Sequence, residues 1–167
     1  MSTQERVKVL IVDDVEVNVK LLEAYLAKFN FIILKAYGGN EALKLAREER
    51  PNLILLDVMM PDLDGFKVCE TLRSDPSFAS VPIVMVTAKN EDVSIVQSLE
   101  KGADDYIIKP VNSKDLSEKV TSLLAKAKIG DLPSQYYRQT QEAREKGEMS
   151  KMRDYSRLLN LEKEDTK

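Results

Sequence analysis

The chain of 167 residues contains no histidine and a single cysteine. Without imidazole there is no Ser-His or Cys-His nucleophile pair, no histidine general base and no His-bound zinc. A phosphoryl group that travels through a histidine must therefore come from another protein. One cysteine, Cys69, excludes an internal disulfide and thiolate metal clusters. It lies at helical spacing with Val68 and Leu72, which predicts a buried small apolar side chain rather than a reactive thiol. Long hydrophobic runs are also missing. No apolar stretch approaches the roughly 20 residues needed to span a bilayer. The first residues, Met-Ser-Thr-Gln-Glu-Arg, are polar and lack a signal-peptide core, so the expected location is the cytoplasm, with no membrane partner. Neither sign of charge dominates: 25 Lys and Arg stand against 28 Asp and Glu, a net charge of -3. These charges are interspersed, as on a solvated surface. They leave no basic field to attract nucleic acid, and no direct nucleic-acid partner is expected.

The length suits one domain with a substantial core, plus an appendage. What the chain does have is a series of short apolar runs with polar ends. Val9-Leu10-Ile11-Val12 ends in Asp13-Asp14, and Leu53-Ile54-Leu55-Leu56 ends in Asp57. Ile83-Val84-Met85-Val86 ends in Thr87, and Tyr106-Ile107-Ile108 ends in Lys109-Pro110. Continuous apolar runs of this length fit strands covered on both faces of a parallel sheet. Phe31 to Ala36 reads as a further strand.

Helical patterns separate the runs. Val19, Leu22, Leu26 and Phe29 share one face of a helix. Asn40 is placed to cap a helix carrying Leu43 and Ala46. Phe66 to Arg73 reads as a helix after the turn-rich Pro61-Asp62 and Asp64-Gly65. Val93, Val96 and Leu99 form a stripe, with Gly102 just past the helix end. Ser113 or Asn112 caps a last helix through Leu116, Val120, Leu123 and Leu124. Five βα units in succession predict a doubly wound parallel sheet. No internal repeat is evident.

The character changes near Ile129, where Gly130, Asp131 and Pro133 break the periodicity. The expected division is a domain over residues 6–128 and an extension over 129–167. Met152, Tyr155, Leu158 and Leu159 give the extension a short apolar stripe. It reads as a helical or partly disordered segment. A docking or self-association helix and a linker from a longer protein are the alternatives.

If the strands are parallel, the residues that end them share one edge, where ligands bind in open α/β sheets. Three carboxylates cannot crowd there without a cation: two unit charges about 4 Å apart repel by roughly 4 kcal/mol at an effective dielectric near 20. With oxygen ligands and neither imidazole nor thiolate, Mg²⁺ is the natural ion, and it welcomes a phosphate oxygen. A carboxylate can itself be a nucleophile and form an aspartyl phosphate. The transferring group spreads charge over its equatorial oxygens. Mg²⁺, Lys109 and Thr87 would each hold one. Singly, these residues are ordinary turn, cap and loop residues. The joint order of Asp-Asp, Asp, Thr and Lys-Pro at successive strand ends is the specific signal.

The strings VLIVDD, LILLDVMMPDLDGF, PIVMVTA and GADDYIIKP closely resemble the receiver domains of bacterial two-component response regulators. The resemblance covers roughly Arg6 to Lys128 and is nearest in flavour to cell-cycle and diguanylate-cyclase regulators. It implies a flavodoxin-like fold of five parallel strands in order 2-1-3-4-5. It implies that Asp57 is the phosphoacceptor and that Asp13, Asp14, Asp57 and the backbone carbonyl of Met59 hold Mg²⁺. Lys109 would contact the phosphoryl group, Thr87 and Tyr106 would form the switch, and Pro110 would follow a cis peptide. The implied function is a phosphorylation-dependent switch, charged by a sensor histidine kinase or a histidine phosphotransfer protein and read by a downstream target protein. It would not be an enzyme beyond accepting its own phosphoryl group and slowly losing it. A homodimer through the receiver face or the tail is left open.

Other readings fit less well. A haloacid-dehalogenase-like Asp-nucleophile phosphatase wants a second acid where Met59 stands. A P-loop ATPase needs a G-x-x-x-x-G-K-[ST] motif that is absent. Asp62-Leu63-Asp64-Gly65 is too short for a calcium loop. The remaining alternatives are a receiver used only for binding, and the receiver portion of a longer regulator with a diguanylate cyclase or DNA-binding output.

Overall fold

The computed structural model describes residues 6–88 and 92–128. The expected extension over 129–167, with its Met152–Leu159 stripe, lies outside them. Strands and helices alternate as β1 (Lys8–Val12), α1 (Glu16–Leu26), β2 (Ile32–Ala36), α2 (Gly39–Glu49), β3 (Leu53–Asp57), α3 (Gly65–Arg73), β4 (Ile83–Thr87), α4 (Asp92–Glu100), β5 (Asp105–Ile108) and α5 (Ser113–Lys128). The sheet is five-stranded in the order β2-β1-β3-β4-β5, and every neighbouring pair is parallel. The parallel sheet is the one that the succession of βα units predicts, and its order is the one implied by the resemblance to receiver domains. Among the described residues no helix is long and apolar enough to cross a membrane.

Alternation along each strand builds two cores. Leu10, Val12, Ile54, Leu56, Ile83 and Met85 pack with Ala42 and Ala46 of α2 and with Val68, Cys69 and Leu72 of α3. Val9, Ile11, Leu53, Leu55, Val84 and Val86 pack with Val19, Leu22 and Leu26 of α1 and with Leu116, Val120 and Leu124 of α5. Strands β3 and β4 are buried at every position, which is why their runs have no polar interruption. Strand β2 lies at the edge and is mostly half-buried.

Local details refine the sequence reading. Phe29 falls in a short 3-10 turn after α1 rather than inside it. Ile95 and Ser98 of α4 are buried and Leu99 is half-buried, while the side chains of Val93 and Val96 lie outside the described residues. Gly102 follows α4 with φ of 105°, a left-handed conformation that favours glycine. The Asn112 side chain accepts from the Asp115 N–H at 3.0 Å and caps α5. Burial pushes the Cys69 thiol up to about 12, so it is the inert core side chain its spacing predicted. The cap of α2 differs from expectation. Asn40 is the second residue of that helix, not its cap, and the residue before the helix is Gly38. The Asp62 carboxylate, from the β3–α3 loop, accepts from the Gly39 and Asn40 N–H groups instead.

At the N-terminal ends of β4 and β5, Arg73 ties three segments together. Its guanidinium donates to the carbonyls of Gly102, Phe78 and Val81 at 2.8, 2.7 and 2.8 Å. It also donates to the Asp104 carboxylate at 2.6 Å, which accepts from the Ile83 N–H as well.

Candidate functional site

The register brings the acidic strand ends together at the opposite edge. Val12 pairs with Leu56, so Asp13 follows β1 level with Asp57 at the end of β3. Asp57 pairs with Val86, which places Thr87 one residue further along β4. Thr87 pairs with Ile108, and the Lys109 N–H donates to the Thr87 carbonyl at 2.7 Å. Strand alternation then sorts the side chains. Asp13, Asp57 and Lys109 continue the rows of Ile11, Leu55 and Ile107, which face α1 and α5. Thr87 continues the row of Ile83 and Met85 on the other face, where Tyr106 also packs.

Ligand oxygens of Asp13, Asp14 and Asp57 all lie within 4.8 Å of one another. Asp13 is 1% exposed and Asp57 5%. One cation is set against them: Lys109 Nζ lies 2.9 Å from an Asp13 oxygen and 3.3 Å from an Asp57 oxygen. The other Asp13 oxygen accepts the Val15 N–H at 2.9 Å, which fixes that carboxylate at the entrance to α1. Burial, then the negative charge of Asp13, push the Asp57 carboxyl up to about 6, against the pull of Lys109. Burial works against the charge of Lys109, but its bonds and attraction to Asp13 and Asp57 outweigh it and raise its pKa.

Among the described residues the group is thus short of positive charge. Its donors are carboxylate oxygens without nitrogen or sulfur, one of them solvent-facing on Asp14. Such a set fits a hard divalent cation, and Mg²⁺ keeps waters and adds phosphate oxygens at a partly open site of this kind.

The remaining predicted residues are close in the chain. Met59, two residues past Asp57, is 56% exposed and lies in the loop between β3 and α3. Thr87 is fully buried and Tyr106 is half-buried between β4 and α4. The Lys109–Pro110 peptide is cis, as expected. Gly65 closes the β3–α3 loop by donating to the Val58 carbonyl at 2.8 Å. A Cβ there would lie 2.2 Å from the Asp57 carbonyl oxygen, so the loop can return this tightly only on glycine. In the sequence Asp62 stands out only as part of a turn-rich loop that is too short to bind calcium. Its one available signal was an acid in the loop directly after the candidate nucleophile.

Residues 9–121 match the family model described as the response regulator receiver domain. The chain belongs to the response regulator receiver family. The response regulator PleD of Caulobacter vibrioides is 43% identical over 116 residues, covering 70% of this chain and 26% of that protein. The alkaline phosphatase synthesis transcriptional regulatory protein PhoP of Bacillus subtilis is 43% identical over 122 residues, covering 73% of this chain and 50% of that protein. The receiver thus spans half or less of the length of these curated relatives. Among solved structures, a CheY-like response regulator receiver domain protein from Methanospirillum hungatei superimposes with a TM-score of 0.69 at 31% identity, covering 75% of this chain and 98% of that one. A two-component response regulator from Clostridium difficile gives a TM-score of 0.68 at 34% identity, with 73% and 98% covered. The acidic cluster, the central strand and the lysine of the receiver all fall inside the matched region.

Proposed function

We propose that this receiver is a phosphorylation-dependent signalling switch that accepts a phosphoryl group on Asp57. The donor is a phosphohistidine on a sensor kinase or a phosphotransfer protein, since the chain has no histidine of its own. The observation that carries this reading is the buried Asp57 carboxylate, with Lys109 at 3.3 Å and two further carboxylates beside it.

An Asp57 oxygen attacks the phosphorus, an O–P bond forms, and the N–P bond breaks with its electron pair leaving on the donor's imidazole. Asp13, Asp14, Asp57 and the Met59 carbonyl would hold Mg²⁺, which when bound neutralises charge on the transferring group. Lys109 already points its ammonium at the attacking carboxylate and is placed to take a phosphoryl oxygen. Burial first, and the charge of Asp13 second, raise the pKa of Asp57; a bound cation would offset both and leave the carboxylate ionised and nucleophilic.

Thr87 and Tyr106 supply the readout. A phosphoryl group on Asp57 draws the Thr87 hydroxyl toward it, and Tyr106 moves into the space on the α4–β5 side. The shift is limited by the difference in affinity between the two arrangements. The receiver then presents a changed surface to a downstream target protein. Its own chemistry amounts to accepting the phosphoryl group and slowly losing it. Acetyl phosphate with Mg²⁺ should add one phosphoryl group by intact mass, and Asp57→Asn should not be labelled. Equal labelling of the variant overturns the assignment.

A further inference from the structure

The loop between β3 and α3 is held on three sides. Met60 is buried in the core beneath it, and Leu63 packs against the same core. A Cβ on Gly39 would lie 2.5 Å from the Leu63 carbonyl oxygen, so the loop backbone touches the first residue of α2. The third restraint is polar. The Asp62 carboxylate accepts the N–H of Gly39 at 3.0 Å, the N–H of Asn40 at 3.0 Å and the Asn40 side-chain amide at 3.2 Å. These bonds, the Asn40 N–H first, hold the Asp62 carboxyl below the usual carboxylate range.

The first N–H groups of a helix have no partner inside it and normally bond to the residue just before it. In α2 that residue is Gly38, which has no side chain, and no side-chain cap comes from that position. The cap comes instead from a residue 22 positions beyond Asn40. That residue is five past Asp57 and three past Met59, so the helix end and the backbone following the nucleophile share one anchor.

We propose that Asp62 is a positioning residue for phosphoryl transfer: by pinning the β3–α3 loop to α2, it fixes the backbone that supplies the Met59 carbonyl. The role rests on the reading of Asp57 as a Mg²⁺-dependent phosphoacceptor. Asp62 does not contact the acidic group itself. It restricts the loop before the ion arrives, so that binding does not have to order those residues.

The 167-residue wild type, Asp62→Ala, Asp62→Asn and Asp75→Ala are compared in three measurements. Asp75 caps the short turn at Pro76–Phe78 and serves as a control for the loss of a cap away from the site. Calorimetry measures Mg²⁺ affinity, hydrogen exchange without metal follows Gly39, Asn40 and residues 58–64, and labelling by acetyl phosphate is followed against Mg²⁺ concentration. Loss of residues that orient metal ligands typically costs about 10–100-fold in affinity, and one acting through backbone should sit at the low end, about tenfold. Asp62→Ala should therefore lose exchange protection at these amides and need about tenfold more Mg²⁺, with a near wild-type labelling rate at saturation. Asp62→Asn, whose single carboxamide oxygen can replace only one of the two accepting carboxylate oxygens, should recover only part of both. Asp75→Ala should lose stability but keep its Mg²⁺ affinity. Wild-type affinity in Asp62→Ala overturns the positioning role and leaves a plain helix cap. If the wild type itself neither binds Mg²⁺ nor is labelled at Asp57, the phosphoacceptor reading fails and the positioning role falls with it.

Discussion

Replacing Asp57 by Asn should make the metal-free protein more stable, although it removes the proposed nucleophile. The Asp57 carboxyl is pushed from 3.8 to about 6 in the folded protein, first by burial and then by Asp13. A folded value above the unfolded one means that the folded state holds its proton more tightly. Ionisation therefore works against folding. The penalty is absent below about pH 4, grows as the pH rises through the window between 3.8 and about 6, and is complete above it. A shift of about two units at roughly 1.4 kcal/mol each gives a cost of about 3 kcal/mol at pH 8. At pH 5 the folded carboxyl is still largely protonated, and the cost is about half as large. Asparagine resembles the protonated acid in shape and charge, so Asp57→Asn should gain up to about 3 kcal/mol at pH 8. For a chain of this size that is a rise in Tm of roughly 6–12 °C. The assay is thermal or urea unfolding of both proteins in EDTA at pH 5 and pH 8, repeated with Mg²⁺. Mg²⁺ should stabilise the wild type by mass action and the variant much less, closing part of the gap. A variant no more stable than wild type at pH 8, or an equal gain at both pH values, refutes the account of the crowded site.

Two further substitutions test the scaffold. Gly65→Ala places a Cβ 2.2 Å from the Asp57 carbonyl oxygen, so the loop must shift, at a cost of about 1–3 kcal/mol in urea unfolding and a weaker Mg²⁺ affinity. An unchanged unfolding midpoint would show that the loop is not packed this tightly. Arg73→Ala leaves Asp104 without its cation and removes the guanidinium donor from the Gly102, Phe78 and Val81 carbonyls, of which Phe78 keeps the Val81 N–H, and this should cost about 3–5 kcal/mol. Arg73→Lys should recover little, because a single ammonium cannot reach both sides of the fork. Labelling of the folded Arg73→Ala protein at Asp57 should stay near wild type, since the clamp lies at the other edge of the sheet.

The strands and the residues that end them were legible because burial on both faces leaves a continuous apolar run, and the polar residue that stops each run marks the edge. Asp13, Asp57 and Lys109 group together on that ground alone, and the structure puts their charged atoms within 3.3 Å in each Lys–Asp pair. The strand order was not legible in the same way. Apolar runs carry no record of their neighbours, and the order 2-1-3-4-5 came through resemblance to a family. Capping shows the limit most clearly. The expected Asn40 cap rests on short-range spacing, in which a helix finds its partner in the adjacent chain. The observed partner, Asp62, is brought there by the fold of β3 and its loop, and no local pattern around residue 40 announces it. Arg73 is similar: its partners, Gly102 and Asp104, follow a different helix.

Side-chain parity carries the argument from site to switch. Asp57 and Thr87 end neighbouring strands, but they continue opposite rows of the sheet. The acidic group and Lys109 therefore face the layer of α1 and α5, while Thr87 and Tyr106 face the other side. A change in charge on the first face can reach the second only across the strand end, through a residue buried there and tied to both. In the proposed switch Thr87 would fill that place: it is fully buried, its side chain continues the row on the face where Tyr106 packs, and its carbonyl accepts the N–H of the lysine that holds Asp57. Restraint of the hydroxyl, rather than bulk at this position, is then what matters. Thr87→Ser should transmit phosphorylation to Tyr106 better than Thr87→Val, which keeps the shape and loses the donor. Equal transmission by the two variants, read from the Tyr106 ring signals before and after labelling, would sever the link between the two faces.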